Sequence, residues 1–250
     1  MRIQKIRTGN IDLHYAEFQI FTDYIFDRLT YSPGKIIIVF INLRNFYFMN
    51  KDESLLNEIK SNSLAVFEGI GLKFCMAIKG KGFIKDLNGT DLIPLFLNKP
   101  EIKKYGIFLL GATQESVVGA VEHIKNNYPA VKICGFHNGY FEDSEEQDII
   151  EKINGSQAEI LLVCMGFPRQ EKFIFKYRDK LNVKLIWNLG GLFDFVSGIK
   201  PRAPGFVRRM RMEWLYRFIK EPVRMFHRNT VAATWSIKNI IFSSDISSKN

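Results

Sequence analysis

YGIFLLGATQESVVGAVEHIKNNYPAVKICG, residues 105–135, decides the fold. The first seven residues form an apolar run that ends on glycine, as a strand buried on both faces does. Residues 113–127 then carry valine or isoleucine at 117, 118, 121 and 124, the spacing of a helix with one apolar face. Residues 131–135 return to a short apolar run. Strand, helix and strand in that order predict a βαβ unit, and such a crossover makes its two strands parallel.

The same grammar extends in both directions. Upstream, residues 35–43 (KIIIVFINL) follow Pro33-Gly34 as a β-branched strand. A helix is predicted over 52–62, and a short strand over 64–67 opens into Glu68-Gly69-Ile70-Gly71. Downstream, a helix over 145–153 precedes strands over 159–166 (EILLVCMG) and 183–189 (VKLIWNL). The expected fold is α/β: a Rossmann-like, mainly parallel sheet with helices on both faces. Beyond Gly198 the pattern turns helical and basic. Residues 1–198 are therefore expected to form the core, and 199–250 a basic helical C-terminal appendage.

Charge is concentrated in that appendage. Residues 200–228 hold nine Lys/Arg against two acids, so +7 of the chain's overall +9 falls there. Apolar residues at 206, 207, 210, 214, 215, 218 and 219 trace one helical stripe between the cations. A basic amphipathic element of this kind suits an anionic membrane surface. It is equally the pattern of a helix packed on the core. No stretch approaches the roughly 18 apolar residues that a membrane span needs. Residues 1–10 are charged and no apolar leader follows them. Cys75, Cys134 and Cys164 are far apart among apolar residues, which predicts buried free thiols in a reducing cytoplasm rather than a zinc site or disulfide framework.

Ligands of parallel α/β sheets collect where the strands end. Glycines punctuate those ends at 69, 71, 111, 135, 139, 166, 190 and 191. No GxGxxG fingerprint, P-loop or paired-aspartate metal motif follows a strand, so no cofactor and no metal is expected. The basic patch alone suggests nucleic acid, but no RRM, KH or helix-turn-helix pattern accompanies it, and no nucleic-acid partner is expected.

Five blocks carry a more specific signal: YGIFLLGATQESV (105–117), NNYPAVKICGFHNGYF (126–141), AEILLVCMGFPRQEKFI (158–174), NLGGLFDFVSGIKPRAP (188–204) and EWLYRFIKEPVRMFHRN (213–229). In this order they resemble the signature blocks of the WecG/TagA/CpsF glycosyltransferases. The resemblance runs from about residue 35 to 229. It implies an inverting, metal-independent enzyme on the cytoplasmic face of a bacterial membrane. Such enzymes pass a sugar such as N-acetylmannosamine from a UDP-sugar donor to a polyprenyl-diphosphate-linked acceptor, in teichoic-acid, capsule or exopolysaccharide synthesis. Self-association as a homo-oligomer is also implied.

The family's catalytic base is an aspartate in a D-G-x-G turn, and Glu68 occupies that place here, with Asn42 matching a nearby family asparagine. Inverting transfer needs such a base to take the acceptor proton. The resemblance assigns substrate contacts to Gly111, Gly135, His137, Gly139, Tyr140, Gln170, Glu171, Gly190, Gly191 and Asp194. Arg202, Arg217, Arg224 and Arg228 belong to the closing appendage, where guanidinium groups suit a departing diphosphate. Two positions depart from the pattern. Phe40 replaces a threonine and Asp86 an arginine, with Lys79, Lys81 and Lys85 as nearby compensating cations. These departures motivate an alternative, a catalytically silent partner in a polysaccharide assembly complex.

Overall fold

The computed structural model describes residues 3–82, 84–200 and 222–243, with only the backbone described for 222–229. One eight-stranded sheet organises the chain. Its strands are β1 (Gln4–Thr8), β2 (Ile11–Tyr15), β3 (Ile36–Ile41), β4 (Leu64–Phe67), β5 (Gly106–Gly111), β6 (Lys132–His137), β7 (Ile160–Cys164) and β8 (Leu185–Asn188). They lie in the order β1-β2-β4-β3-β8-β7-β5-β6. Every pairing is parallel except the β1–β2 hairpin, so the expected α/β class stands.

The helices are α1 (Phe18–Tyr31), α2 (Leu43–Asn50), α3 (Glu53–Asn62), α4 (Ile70–Ile78), α5 (Gly89–Leu97), α6 (Gln114–Asn127), α7 (Glu146–Gly155), α8 (Arg169–Tyr177), α9 (Leu192–Val196) and α10 (Pro222–Ile241). The strands' period of two sends alternate side chains into two separate cores. Ile37, Val39 and Ile41 of β3 join one core, which α2, α3, α4, α7 and α8 cover and Ile240 of α10 completes. Ile36, Ile38 and Phe40 join the other, beneath α1, α5, α6 and α9. Trp187 of β8 anchors this second core, fully buried and edge-on to Phe96 at 5.2 Å.

Polar residues start several of the helices. Asn42, Asp52, Asn88 and Thr113 each accept a hydrogen bond from the backbone N–H three residues on, which satisfies an orphan donor of the first turn. The cap at Asn42 explains a difference from the sequence reading: the strand stops at Ile41, and Leu43 already belongs to α2. The N-terminal hairpin is a second difference. Ion pairs from Asp12 to Lys5 and Arg7 cross it, and its charge hides it from a search for apolar runs.

β6 runs to His137 rather than ending at 135. Gly135 is therefore a strand position, and a β-carbon there would lie 2.7 Å from the Phe108 ring. Its missing side chain makes room for β5, and the ligand-edge loop begins only at Asn138.

Candidate active site

Because β3 to β8 run parallel, all six deliver their C-terminal ends to one edge of the sheet. Asn42, Glu68, Gly111, Asn138, Met165 and Leu189 are the first or last residues of those ends. Two clusters occupy this edge, one above β3 and β4, the other above β7 and β8.

In the first cluster, Asn42 and Glu68 follow adjacent strands whose register pairs Ile41 with Phe67. Asn42 Nδ2 donates to Glu68 Oε2 at 3.1 Å, while Asn42 Oδ1 caps α2 through Asn45 N. The backbone N–H of Glu68 donates to Ile41 O at 3.0 Å. Asn42 thus holds the Glu68 carboxylate while the backbone of residue 68 is tied to β3, and the side chain stays half-buried rather than enclosed. Gly69 follows at φ +93, a conformation that side chains rarely adopt, and it turns the chain into α4.

Asp86 fixes that turn from beneath. Its Oδ2 accepts from Gly69 N at 3.3 Å, and its other oxygen forms an ion pair with Lys73. Lys73 is almost wholly buried in α4. The cation paired with Asp86 is therefore Lys73. Lys79 instead donates to Ile240 O and Ser243 O, tying α4 to the end of α10, and Lys85 pairs with Glu17. Phe40 is likewise accounted for internally: it is buried against Trp187, 6.3 Å between ring centroids, and packs in the core beneath α5.

The second cluster is built on Gln170 and Glu171, both buried at the start of α8. Gln170 Oε1 accepts from Gly166 N at 3.1 Å and from Gly190 N at 3.2 Å, joining the loops after β7 and β8. Gln170 Nε2 and Asn188 Nδ2 donate to Glu171 Oε1 at 2.8 and 3.2 Å. Glu171 Oε2 and Asn188 Oδ1 are buried and accept no hydrogen bond from the described residues. Burial pushes the Glu171 carboxyl up to about 7, against the opposing pull of the Gln170 and Asn188 amides and the Arg44 charge.

Arg44 connects the two clusters. It lies in the first turn of α2, two residues after Asn42, and its Nη1 donates to Phe167 O at 3.3 Å in the loop after β7. The sequence reading passed over it. A lone arginine just past a buried strand, within the aromatic stretch NLRNFYF, was the available signal.

The remaining expected residues divide by environment. Gly111 sits at φ +135, and a β-carbon there would lie 2.4 Å from the Cys164 backbone, so only glycine fits. Gly139 N donates to Ala112 O at 2.8 Å, folding the loop after β6 over that after β5. His137 places Nδ1 2.8 Å from Asn138 O and its ring edge-on to Phe141. Tyr140 is exposed, and Gly190 and Gly191 shape the turn into α9. Asp194 has protein partners on both oxygens: the Ser116 hydroxyl at 2.8 Å, which binds α9 to α6, and Lys200 just beyond α9. Arg202 and Arg217 lie outside the described residues, as do the side chains of Arg224 and Arg228. Of the three cysteines, Cys75 and Cys164 are buried and Cys134 is half-buried; burial raises the thiol of Cys75 to about 11.

Residues 6–245 match the model of the glycosyl transferase WecG/TagA/CpsF family. The chain is similar to an N-acetylglucosaminyldiphosphoundecaprenol N-acetyl-beta-D-mannosaminyltransferase of Bacillus spizizenii, 35% identical over 63% of this chain and 60% of that protein. A Bacillus subtilis protein of the same name is 29% identical over 86% of this chain and 83% of its own length. One from Staphylococcus aureus is 26% identical over 76% and 74%. With the family match covering nearly the whole sequence, the chain belongs to the WecG/TagA/CpsF family of glycosyl transferases.

Proposed function

We propose that this protein moves an N-acetylmannosamine-like sugar from a UDP-sugar to a sugar carried on a polyprenyl diphosphate, for a teichoic acid, capsule or exopolysaccharide. Its mannosaminyltransferase relatives, named for an N-acetylglucosaminyldiphosphoundecaprenol acceptor, support this reading. The observation that carries it is the Asn42–Glu68 pair, a fixed and half-buried carboxylate at the ligand edge of a parallel sheet.

Glu68 is the general base. As the acceptor hydroxyl oxygen attacks the anomeric carbon, its proton passes to the Glu68 carboxylate. The bond from that carbon to the UDP oxygen breaks, and UDP leaves with the electron pair. Attack opposite to the leaving group inverts the anomeric centre. Asn42 holds one carboxylate oxygen, and the Asp86–Lys73 pair keeps the Gly69 turn from shifting it. The loops that Gln170 joins, with Gly111, Gly139, His137 and Tyr140 alongside, face the donor. Arg202, Arg217, Arg224 and Arg228, from an appendage spanning 199–250, stabilise the diphosphate charge without a metal ion. The work is done at the inner face of the cell membrane, on an anionic surface, by a protein that can self-associate. Among the described residues no helix is long and apolar enough to cross a membrane.

The test is turnover of UDP-N-acetylmannosamine with a polyprenyl-diphosphate-linked N-acetylglucosamine acceptor, with and without a chelator. Inverted product formed equally in both supports the reading. Binding of the UDP-sugar without transfer would instead favour a silent assembly partner, and activity abolished by the chelator would remove the metal-free mechanism.

A further inference from the structure

Gln170, Glu171 and Asn188 lie inside the protein, each 3% exposed or less. Their orientations follow one from the next. Gln170 Oε1 accepts from two backbone N–H groups, those of Gly166 and Gly190, so its Nε2 is the end that meets Glu171. Glu171 Oε1 takes that donor at 2.8 Å and a second from Asn188 Nδ2 at 3.2 Å. Turning the Asn188 amide over would set oxygen against oxygen at the same 3.2 Å. Two acceptors of the cluster are then left, Glu171 Oε2 and Asn188 Oδ1, both buried and without a donor among the described residues. They belong to two groups that already share one hydrogen bond.

An ionised carboxylate only accepts, so ionisation here leaves both oxygens bare beside an enclosed charge. Unmet acceptors and enclosed charge are each unfavourable. One proton on Oε2 cancels the charge and turns one bare acceptor into a donor for the other. The charge that reaches Glu171 is Arg44 of α2, which favours the ionised form but also donates to Phe167 O and lies over the Phe48 ring. Asp52, Glu58 and Glu146, from elements packed around α8, are paired with Lys172, Arg178 and Lys176. Burial outweighs Arg44 and the two amides, and the carboxyl is pushed up to about 7.

We propose that Glu171 works as a neutral carboxylic acid whose Oε2–H donates to Asn188 Oδ1, and that this acid–amide pair positions Gln170 across the loops after β7 and β8. Loss of the proton to solvent breaks that bond and sets two acceptors against each other. Relieving the contact requires the Asn188 or Glu171 side chain to turn, and either turn pulls on Gln170 and the two loops it joins. The effect on donor binding rests on the UDP-sugar reading of those loops; the place of the proton does not.

The experiment has two arms, both on the full chain. Infrared difference spectra between about pH 6 and about pH 9 read the proton directly, since carboxyls with ordinary values are ionised throughout that range. The carbonyl band of a protonated acid should be present at the lower pH, vanish at the higher, and be missing from Glu171→Gln. Binding of UDP-N-acetylmannosamine over the same range reads the consequence. Its dissociation constant should rise by about tenfold or more from pH 7 to pH 9, as the protonated fraction falls. Glu171→Gln carries an N–H where the acid carries its O–H, so its binding profile should be flat over that interval.

A parent spectrum without the carboxyl band overturns the proposal, whether or not the variant folds. So does a variant that keeps the band, or one whose affinity declines with pH by the same factor as the parent's. If the parent binds no UDP-sugar at any pH, the donor reading fails, while the infrared band still decides where the proton lies.

Discussion

Glu68 and Glu171 are the same residue type at the same edge of one sheet, and the protein treats them in opposite ways. Glu68 follows β4, half-buried, with the Asn42 amide on its carboxylate and a glycine turn directly after it. Glu171 sits one turn into the region above β7 and β8, fully enclosed, with two neutral amides on one oxygen and its carboxyl pushed up to about 7 by burial. A base must meet both its substrate and water's proton pool, which suits the first environment. A group sealed among the loops it helps to hold suits a positioning role. Under the proposed assignment, a carboxylate's surroundings, and not its presence at a strand end, mark its task.

The comparison breaks most easily at Glu68. Glu68→Gln keeps the shape and the contact to Asn42 but cannot take a proton, so kcat should fall by roughly 10²–10⁴-fold, with an unchanged melting temperature. Next comes the support under that turn. Asp86→Asn leaves Lys73 buried with its charge uncompensated, at a cost of about 3 kcal/mol in denaturant-measured stability.

Glu171 sharpens the contrast through pH. Its folded-state value lies above the ordinary carboxyl value of 4.5, so between about 4.5 and 7 the folded protein holds a proton that the unfolded chain has released. That contribution is complete below about 4.5, is lost as pH rises through 7, and amounts to about 3 kcal/mol. Glu171→Gln should flatten the decline in stability across this window and be more stable than the parent at pH 8. The smallest effect is expected at Asn42. Asn42→Ala removes a helix cap and the donor to Glu68, for about 1 kcal/mol of stability and about tenfold in kcat.

The sheet was legible where its strands are buried on both faces, because β3, β5 and β7 then read as unbroken apolar runs. The β1–β2 hairpin was not, since charged residues face solvent along it. Nor was α4, whose glycines and apolar run resemble a loop leading out of a strand until the register of β4 is known. Within the site, Glu68 and Asn42 stood out only through the family resemblance, as twenty-six residues separate them. The Lys73–Asp86 pair and the link from Arg44 to Phe167 depend on how helices stack over the sheet, which local sequence does not encode. The place of Gly135 within β6 was hidden for a related reason: its close neighbour is Phe108, on the adjoining strand.

A direct comparison of Glu68→Gln with Glu171→Gln decides between the two carboxylates, with single-turnover transfer from UDP-N-acetylmannosamine as the readout. Loss of at least about a hundredfold in the first, and less than about tenfold in the second, is the predicted result. Equal rates in Glu68→Gln and the parent protein, or a larger loss at Glu171, would contradict the assignment of the base.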